Sequence, residues 1–212
     1  MKQKIKVAVI GGTGKSGKYL INQLLSQGFH FKILLRNPEK FRINSKSIEI
    51  IKGDARNIES IRSLLKGCDA VVSTLGQPKG ESPKFSQATG NIISVMDEYQ
   101  IRRYVIVTGL SIDSPFDKKS ADTKMKSEMM KTYFPEIIAD KQAEYNILEQ
   151  SDVDWTLVRL PFIEQTDTKS EIKVSLEDCP GEKISATDLA IFLIEQLSDK
   201  SYIKKSPFVA SL

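Results

Sequence analysis

Histidine occurs once in this 212-residue sequence, at His30, and cysteine twice, at Cys68 and Cys179, far apart and outside any CxxC spacing. One imidazole and two isolated thiols do not supply the ligand sets that structural zinc needs, so no metal is expected. They also make no disulfide framework, and a reducing compartment is the simplest reading. A Ser-His-Asp triad would have to use His30, and no GxSxG elbow accompanies it. Long apolar runs are missing too. No stretch approaches the ~20 residues of a membrane span. The run at 7–10 meets Gly11 too soon to be the core of a signal peptide. The expectation is a cytoplasmic protein with no membrane partner.

Charge is nearly balanced, 31 Lys and Arg against 27 Asp and Glu, and the two signs interleave. A formal charge of +4 spread in this way predicts no nucleic-acid partner. With 40% hydrophobic and 27% charged residues the composition is that of an ordinary globular protein. The length suits one α/β domain spanning 1–212.

Apolar bursts of strand length recur at 5–10, 31–35, 48–51, 70–74, 104–107 and 155–160. They are nearly continuously apolar and rich in Val and Ile, as strands buried on both faces are. Helical stripes lie between them. Leu20, Ile21, Leu24 and Leu25 form one, ended by Gly28; Ile58, Ile61, Leu64 and Leu65 form another, stopped by Gly67. A third, from Phe85 to Tyr99, enters at Pro83, and a further helix runs over 137–151. The alternation predicts βαβ units and a Rossmann-like, doubly wound, mostly parallel sheet with helices on both faces. The last third adds a short strand at 171–176 and a capped helix starting near Thr187 and Asp188. The segments 111–136 and 161–186 are expected to build a substrate wall over the carboxyl edge of the sheet.

The most informative segment follows the first strand: Gly11-Gly12-Thr13-Gly14-Lys15-Ser16-Gly17. Glycines here let the backbone turn tightly and approach a pyrophosphate, and the following helix offers free N–H groups and the positive end of its dipole. A nucleotide-hydrolysing P-loop does not fit. GxxxxGK runs from Gly12 to Lys18, but Tyr19 stands where Ser or Thr should hold magnesium. Ending the motif at Lys15-Ser16 instead puts Val9 at the required first glycine.

The end of the second strand reads Leu34-Leu35-Arg36-Asn37. NAD binders place a carboxylate there for the ribose 2′-hydroxyl; an arginine pairs instead with a 2′-phosphate. Arg36, helped by Lys15, predicts NADP(H), although an exposed arginine also serves as a plain surface cation.

In their order and spacing, GGTGKSG, LLRNPEK, IKGDARN, VVSTLG, VTGLS, the DKQAEYNILEQSDVDWTLVRLP run and ISATDLA resemble the atypical short-chain dehydrogenases/reductases. The similarity is to their NAD(P)H-binding, NmrA-like group, close to biliverdin and flavin reductases, and it covers nearly the whole chain. It implies cofactor contacts from Gly11, Thr13, Gly14, Lys15, Ser16 and Gly17, from Arg36, and from Asp54 and Ala55 near adenine. It further implies contacts from Thr74, Leu75 and Gly76, from Thr108, and from Pro161 and Phe162 beside the carboxamide. Ser111 would face the nicotinamide and Lys141 would bond the nicotinamide ribose, the two serving as the catalytic residues. Periodicity independently sets Lys141 on one helical face with Ile137, Tyr145 and Leu148, pointing inward. An ordinary surface pair of Lys141 with Glu144 is the competing reading.

One departure matters. Family members that reduce carbonyls use YxxxK, and four residues before Lys141 this sequence has Ile137. The expected activity is therefore NADPH-dependent hydride delivery to a small conjugated or cyclic acceptor such as a flavin. An NADP(H)-sensing regulator with little turnover, and more remotely a sugar-nucleotide epimerase or dehydratase, are the alternatives. The protein is expected to be a monomer or weak homodimer. Other residues stay open. Met125, Met129, Met130, Tyr133 and Phe134 line a pocket or pack the core; Asp54 meets adenine or caps the next helix; Arg159 is a buried ion pair or an edge cation; Cys68 is a small buried filler.

Overall fold

Strand β1 (Val7–Ile10) is buried at every residue, and its alternation sets the plan of the molecule. Val7 and Val9 pack on one face of the sheet, and Ala8 and Ile10 on the other. The computed structural model describes residues 5–78 and 80–212. After β1 come α1 (Gly17–Ser26), β2 (Phe31–Leu35), β3 (Ile48–Lys52), α2 (Ile58–Leu65), β4 (Ala70–Ser73), α3 (Phe85–Glu98) and β5 (Arg103–Gly109). Then follow α4 (Ala121–Tyr133), α5 (Pro135–Glu149), β6 (Asp154–Leu160), β7 (Phe162–Glu164), β8 (Ile172–Ser175), β9 (Lys183–Ser185), α6 (Ala186–Glu195) and β10 (Phe208–Ser211).

The main sheet has the order β3-β2-β1-β4-β5-β6-β10-β8. Every pair in it is parallel except β10 with β8. The chain winds outward from β1 to β3, returns, and resumes at β4 on β1's other side. The carboxyl ends of β1 and β4 therefore flank the topological switch point, where open α/β sheets bind ligands. Helices α1 and α6 cover one face, where Leu20, Ile21, Leu24, Leu189 and Leu193 join the core. Helices α2, α3 and α5 cover the other with Ile61, Leu64, Ile92, Val95 and Leu148. This is the expected Rossmann-like architecture.

Gly28 and Gly67 adopt φ of 70° and 73°, just past the last turns of α1 and α2, as helix-terminating glycines do. The first strand starts at Val7 rather than at 5, because the Lys6 N–H bonds the Asp69 carboxylate at 2.7 Å instead of joining the ladder. Strand β3 is not buried on both faces. It is the rim of the sheet, where the covering layers run out, and Ile50 is 42% exposed. Helix α5 begins at Pro135, two residues earlier than the periodicity suggests. Proline at the first helical position loses only an N–H that has no intrahelical partner. Helix α6 begins at Ala186, one residue before the expected start near Thr187, and is capped by Ser185, whose hydroxyl accepts from the Asp188 N–H at 2.9 Å.

Candidate cofactor site

The glycine loop lies at the switch point. Gly11 has φ of 77°, and a Cβ there would stand 2.5 Å from the Thr74 carbonyl, so the β1 and β4 ends touch through bare backbone. A Cβ on Gly17 would lie 2.1 Å from the Gly11 oxygen, which makes that glycine a requirement of the loop's own packing. Gly14 differs: a Cβ there would meet only the Gly11 oxygen at 3.2 Å and the Thr74 oxygen at 3.9 Å. Its remaining surroundings are open, and Thr13, Gly14 and Lys15 are exposed. Helix α1 then starts at Ser16 without a side-chain cap and without an acid in its first turn. Helices α2, α4 and α6 are capped by Asn57, Ser120 and Ser185, and Asp140 accepts from the first N–H groups of α3, whereas α5, like α1, has no side-chain cap. A bare helix start beside an open glycine fits an incoming pyrophosphate.

At the end of β2, Arg36 reaches Glu81 of the β4–α3 connection, NH1 to Oε1 at 2.6 Å. Asp54 does not cap α2; Asn57 does, accepting from the Ser60 N–H at 2.9 Å. Asp54 instead binds Arg56, with Nε to Oδ1 at 2.9 Å and NH2 to Oδ2 at 2.5 Å. These hydrogen bonds hold its carboxyl below the usual carboxylate range. Ala55 is buried beside it, and its carbonyl accepts from Asn91 at 3.2 Å.

Under the carboxyl half of β5, Lys141 of α5 points inward. It is 8% exposed, its Nζ lies 2.7 Å from Glu144 Oε2 and 3.3 Å from the Val107 carbonyl, and it stands 3.8 Å from the Phe85 ring centroid. The pair with Glu144 thus exists, but inside the protein rather than on its surface. Glu144 Oε1 also accepts from Thr89 at 2.9 Å, and Thr89 lies 3.4 Å from the Tyr104 hydroxyl. Thr108, near the end of β5, is buried and its hydroxyl has no hydrogen-bond partner among the described residues. A buried hydroxyl left unpaired is costly, so this orphan is a second fit to a bound polar ligand. Ser111 is buried just past β5, Thr74 is buried after β4, and Phe162 is 73% exposed just past β6.

The segment over this edge is braced from below. Arg159 is a fully buried ion pair: NH1 meets Asp117 at 2.6 Å, Nε donates to the Ser206 carbonyl at 2.8 Å, and the guanidinium lies 3.5 Å from the Phe208 ring. Helix α4 hangs beside the β5 end through Ser127, which donates to the Leu110 carbonyl at 3.5 Å. The core reading of the Met segment fails. Met125, Met129, Tyr133 and Phe134 are 64, 50, 71 and 47% exposed, because the buried face of α4 is Thr123 and Ser127. Cys68 is the expected buried filler, and burial pushes its thiol up to about 11. Two surface cavities lie apart from these residues. One of about 600 Å³ sits by Lys6, His30 and Lys46 at the amino edge of the sheet. One of about 310 Å³ sits by Glu164, Thr168 and Ser211.

The sequence motifs did not single out Arg56 or Glu81, and they offered Glu144 only as a surface partner of Lys141. Arg56 was legible in IKGDARN, two residues past Asp54; Glu81 carried no local signal, since only the fold brings it to Arg36.

Sheet order, uncapped α1 and glycine loop together define a dinucleotide-binding protein of the Rossmann class. A family model described as NAD(P)H-binding matches residues 11–200, and the chain belongs to that family. An isoflavone reductase homolog A622-like protein of Nicotiana tabacum is 30% identical over 114 residues, half of this chain and 35% of its own length. The chain thus spans about a third of the length of the isoflavone-reductase-like relatives it matches. The uncharacterized protein YwnB of Bacillus subtilis is 26% identical over 73% of this chain and 70% of its own. Among solved structures, a short-chain dehydrogenase/reductase of Veillonella parvula in complex with NADP superposes with a TM-score of 0.79 at 16% identity, covering 99% and 95% of the two chains. ChuY, an anaerobillin reductase from Escherichia coli O157:H7, gives 0.78 at 15% identity, covering 97% of each. These likenesses agree with the atypical short-chain dehydrogenase/reductase resemblance seen in the motifs.

Proposed function

We propose that the protein is an NADPH-dependent reductase of a small, flat, conjugated acceptor. NADPH supplies the hydride when bound. The glycine loop and the start of α1 hold the pyrophosphate, Arg36 takes the 2′-phosphate, and Asp54, Ala55, Thr74, Leu75 and Gly76 line the adenosine half. Lys141 and Thr108 bond the nicotinamide ribose, Pro161 and Phe162 flank the carboxamide, and Ser111 orients the acceptor.

The observation that carries the acceptor class is the absence of a usable phenol beside Lys141. Position 137 is isoleucine. Tyr104 is fully buried, and its hydroxyl faces Thr89 inside the protein, with burial pushing its pKa up. Tyr145 is buried against Trp155, and its phenol is pushed up to about 12, mainly by burial. With isoleucine four residues before Lys141, and Tyr104 and Tyr145 both buried, the favoured acceptor is one whose reduced form spreads its charge and takes its proton from water. Flavins and linear tetrapyrroles are of this kind, and the likeness in fold to ChuY, an anaerobillin reductase, supports the choice.

The test is NADPH oxidation against flavins, quinones and tetrapyrroles. Turnover is expected with at least one, with NADPH preferred to NADH and the preference reduced in Arg36→Ala. Ser111→Ala should lower kcat by about 10²-fold with cofactor affinity unchanged. Tight NADPH binding with no turnover on any acceptor would replace this reading with that of an NADP(H) sensor.

A further inference from the structure

Arg36 and Arg56 share one carboxylate. Glu81 Oε1 lies 2.6 Å from Arg36 NH1, and Glu81 Oε2 lies 3.3 Å from Arg56 NH1. Arg36 comes from the end of β2, Arg56 from the β3–α2 connection and Glu81 from the β4–α3 connection, so three separate segments meet at this point. Asp54 occupies Nε and NH2 of Arg56 and orients its remaining edge toward Glu81. Gln77 braces the turn that carries the acid, donating from Nε2 to the Glu81 carbonyl at 2.5 Å.

Two guanidinium groups converge on the two oxygens of one anion. That arrangement is a site for any small group with several anionic oxygens, and a phosphate offers more charge and more acceptors than a carboxylate. We propose that Arg56 is a second ligand of the cofactor's 2′-phosphate, and that Glu81 is an internal stand-in for that phosphate which NADPH must displace. This rests on the cofactor reading above and adds to it two specificity-determining residues.

The consequence is a two-way selection. With Glu81 in place the arginines are already neutralised, and a 2′-phosphate gains only the difference between its own pairing and that of Glu81. A cofactor with a free 2′-hydroxyl leaves Glu81 where it is and offers its hydroxyl as a donor to that carboxylate. Glu81 therefore narrows the preference for NADPH over NADH, and Arg56 widens it. The side chains are 34–47% exposed, so salt screens the effect and its size is that of surface pairs.

Calorimetric titration of the full chain with NADPH and NADH, and with 2′,5′-ADP and 5′-AMP as adenosine-half probes, tests this. Glu81→Gln should tighten NADPH and 2′,5′-ADP by about two- to fivefold, leave NADH and 5′-AMP unchanged or weaker, and keep the wild-type melting temperature. Arg56→Gln should weaken NADPH and 2′,5′-ADP selectively. In the double variant the Glu81→Gln gain should shrink, since half of its partner pair is gone. An unchanged or smaller NADPH-to-NADH ratio in folded Glu81→Gln overturns the stand-in role of Glu81, and equal weakening of both cofactors in Arg56→Gln overturns the role of Arg56. A wild type that binds neither cofactor overturns the cofactor reading itself, and this inference with it.

Discussion

Lys141 and Glu144 form an ion pair inside the protein, Nζ to Oε2 at 2.7 Å, on successive turns of α5 with both side chains at or below 10% exposure. Thr89 and the Val107 carbonyl take up further bonding capacity of the pair, and Phe85 lies under the ammonium. Burial of this kind removes two charges from water, so neither partner is dispensable alone.

Glu144→Gln should therefore destabilise the fold by about 3–5 kcal/mol, because it strands a buried ammonium. The double variant Lys141→Met, Glu144→Gln should recover much of that loss, since no charge is left inside. Chemical denaturation measures both. If Lys141 also grips the nicotinamide ribose, the folded double variant binds NADPH more weakly than wild type. Equal affinity would make the pair purely structural.

The glycine loop separates folding from binding at two positions three residues apart. Gly17→Ala places a methyl 2.1 Å from the Gly11 oxygen and should distort or unfold the loop. Gly14→Ala asks its neighbours for a few tenths of an ångström and should cost little stability. The same methyl projects where the pyrophosphate would approach, so Gly14→Ala should lose NADPH affinity while its melting curve stays near wild type. Normal NADPH binding by that variant would remove the pyrophosphate from the loop.

The strand-helix alternation was readable because β1, β2, β4, β5 and β6 are buried on both faces and so carry unbroken apolar runs. Strands β7, β9 and β10 were not, because three or four residues hold no periodicity. Helix α4 also escaped. Its buried face is made of Thr123 and Ser127, while Met125 and Met129 face outward, so its pattern is that of neither a core helix nor a loop. Local motifs gave the glycine loop and Arg36. The partners Glu81 and Asp117 lie 45 and 42 residues from the arginines they hold, and only the fold could show them.

Acid should weaken the protein through identifiable carboxylates. Asp54 is held below its ordinary 3.8 by hydrogen bonds from Arg56. For Asp113 burial pushes upward, but Lys119 and Lys131 outweigh it and the net shift is down. Glu49 is held below 4.5 chiefly by Lys6. A carboxyl lowered in the folded state contributes stability above its unfolded pKa and loses it as pH falls through the folded one. These groups should therefore leave the melting temperature flat from about pH 5 to 7 and lower it progressively below about pH 4. Asp113→Asn should blunt that acid loss, and an acid limb identical to wild type would assign it to other groups.

Thr108 gives the sharpest separation of stability from binding. Its hydroxyl is buried near the end of β5 with no partner among the described residues, so in the free protein it is a liability. Alternation along β5 sets it on the same face of the sheet as Tyr104 and Ile106, the face covered by α5 and Lys141. Thr108→Val keeps the shape and removes the unpaired polar group. The variant should be as stable as wild type or more so, since deleting an unsatisfied buried hydroxyl returns its desolvation cost. If the hydroxyl finds its partner on the nicotinamide ribose, the same change should weaken NADPH by roughly three- to tenfold, the worth of one hydrogen bond of about 1 kcal/mol. Thermal melting with and without NADPH reads both signs in one experiment: a higher melting temperature alone, and a smaller upward shift on adding cofactor. A variant that is destabilised without ligand yet shifts as far as wild type would show that the hydroxyl serves the fold and not the cofactor.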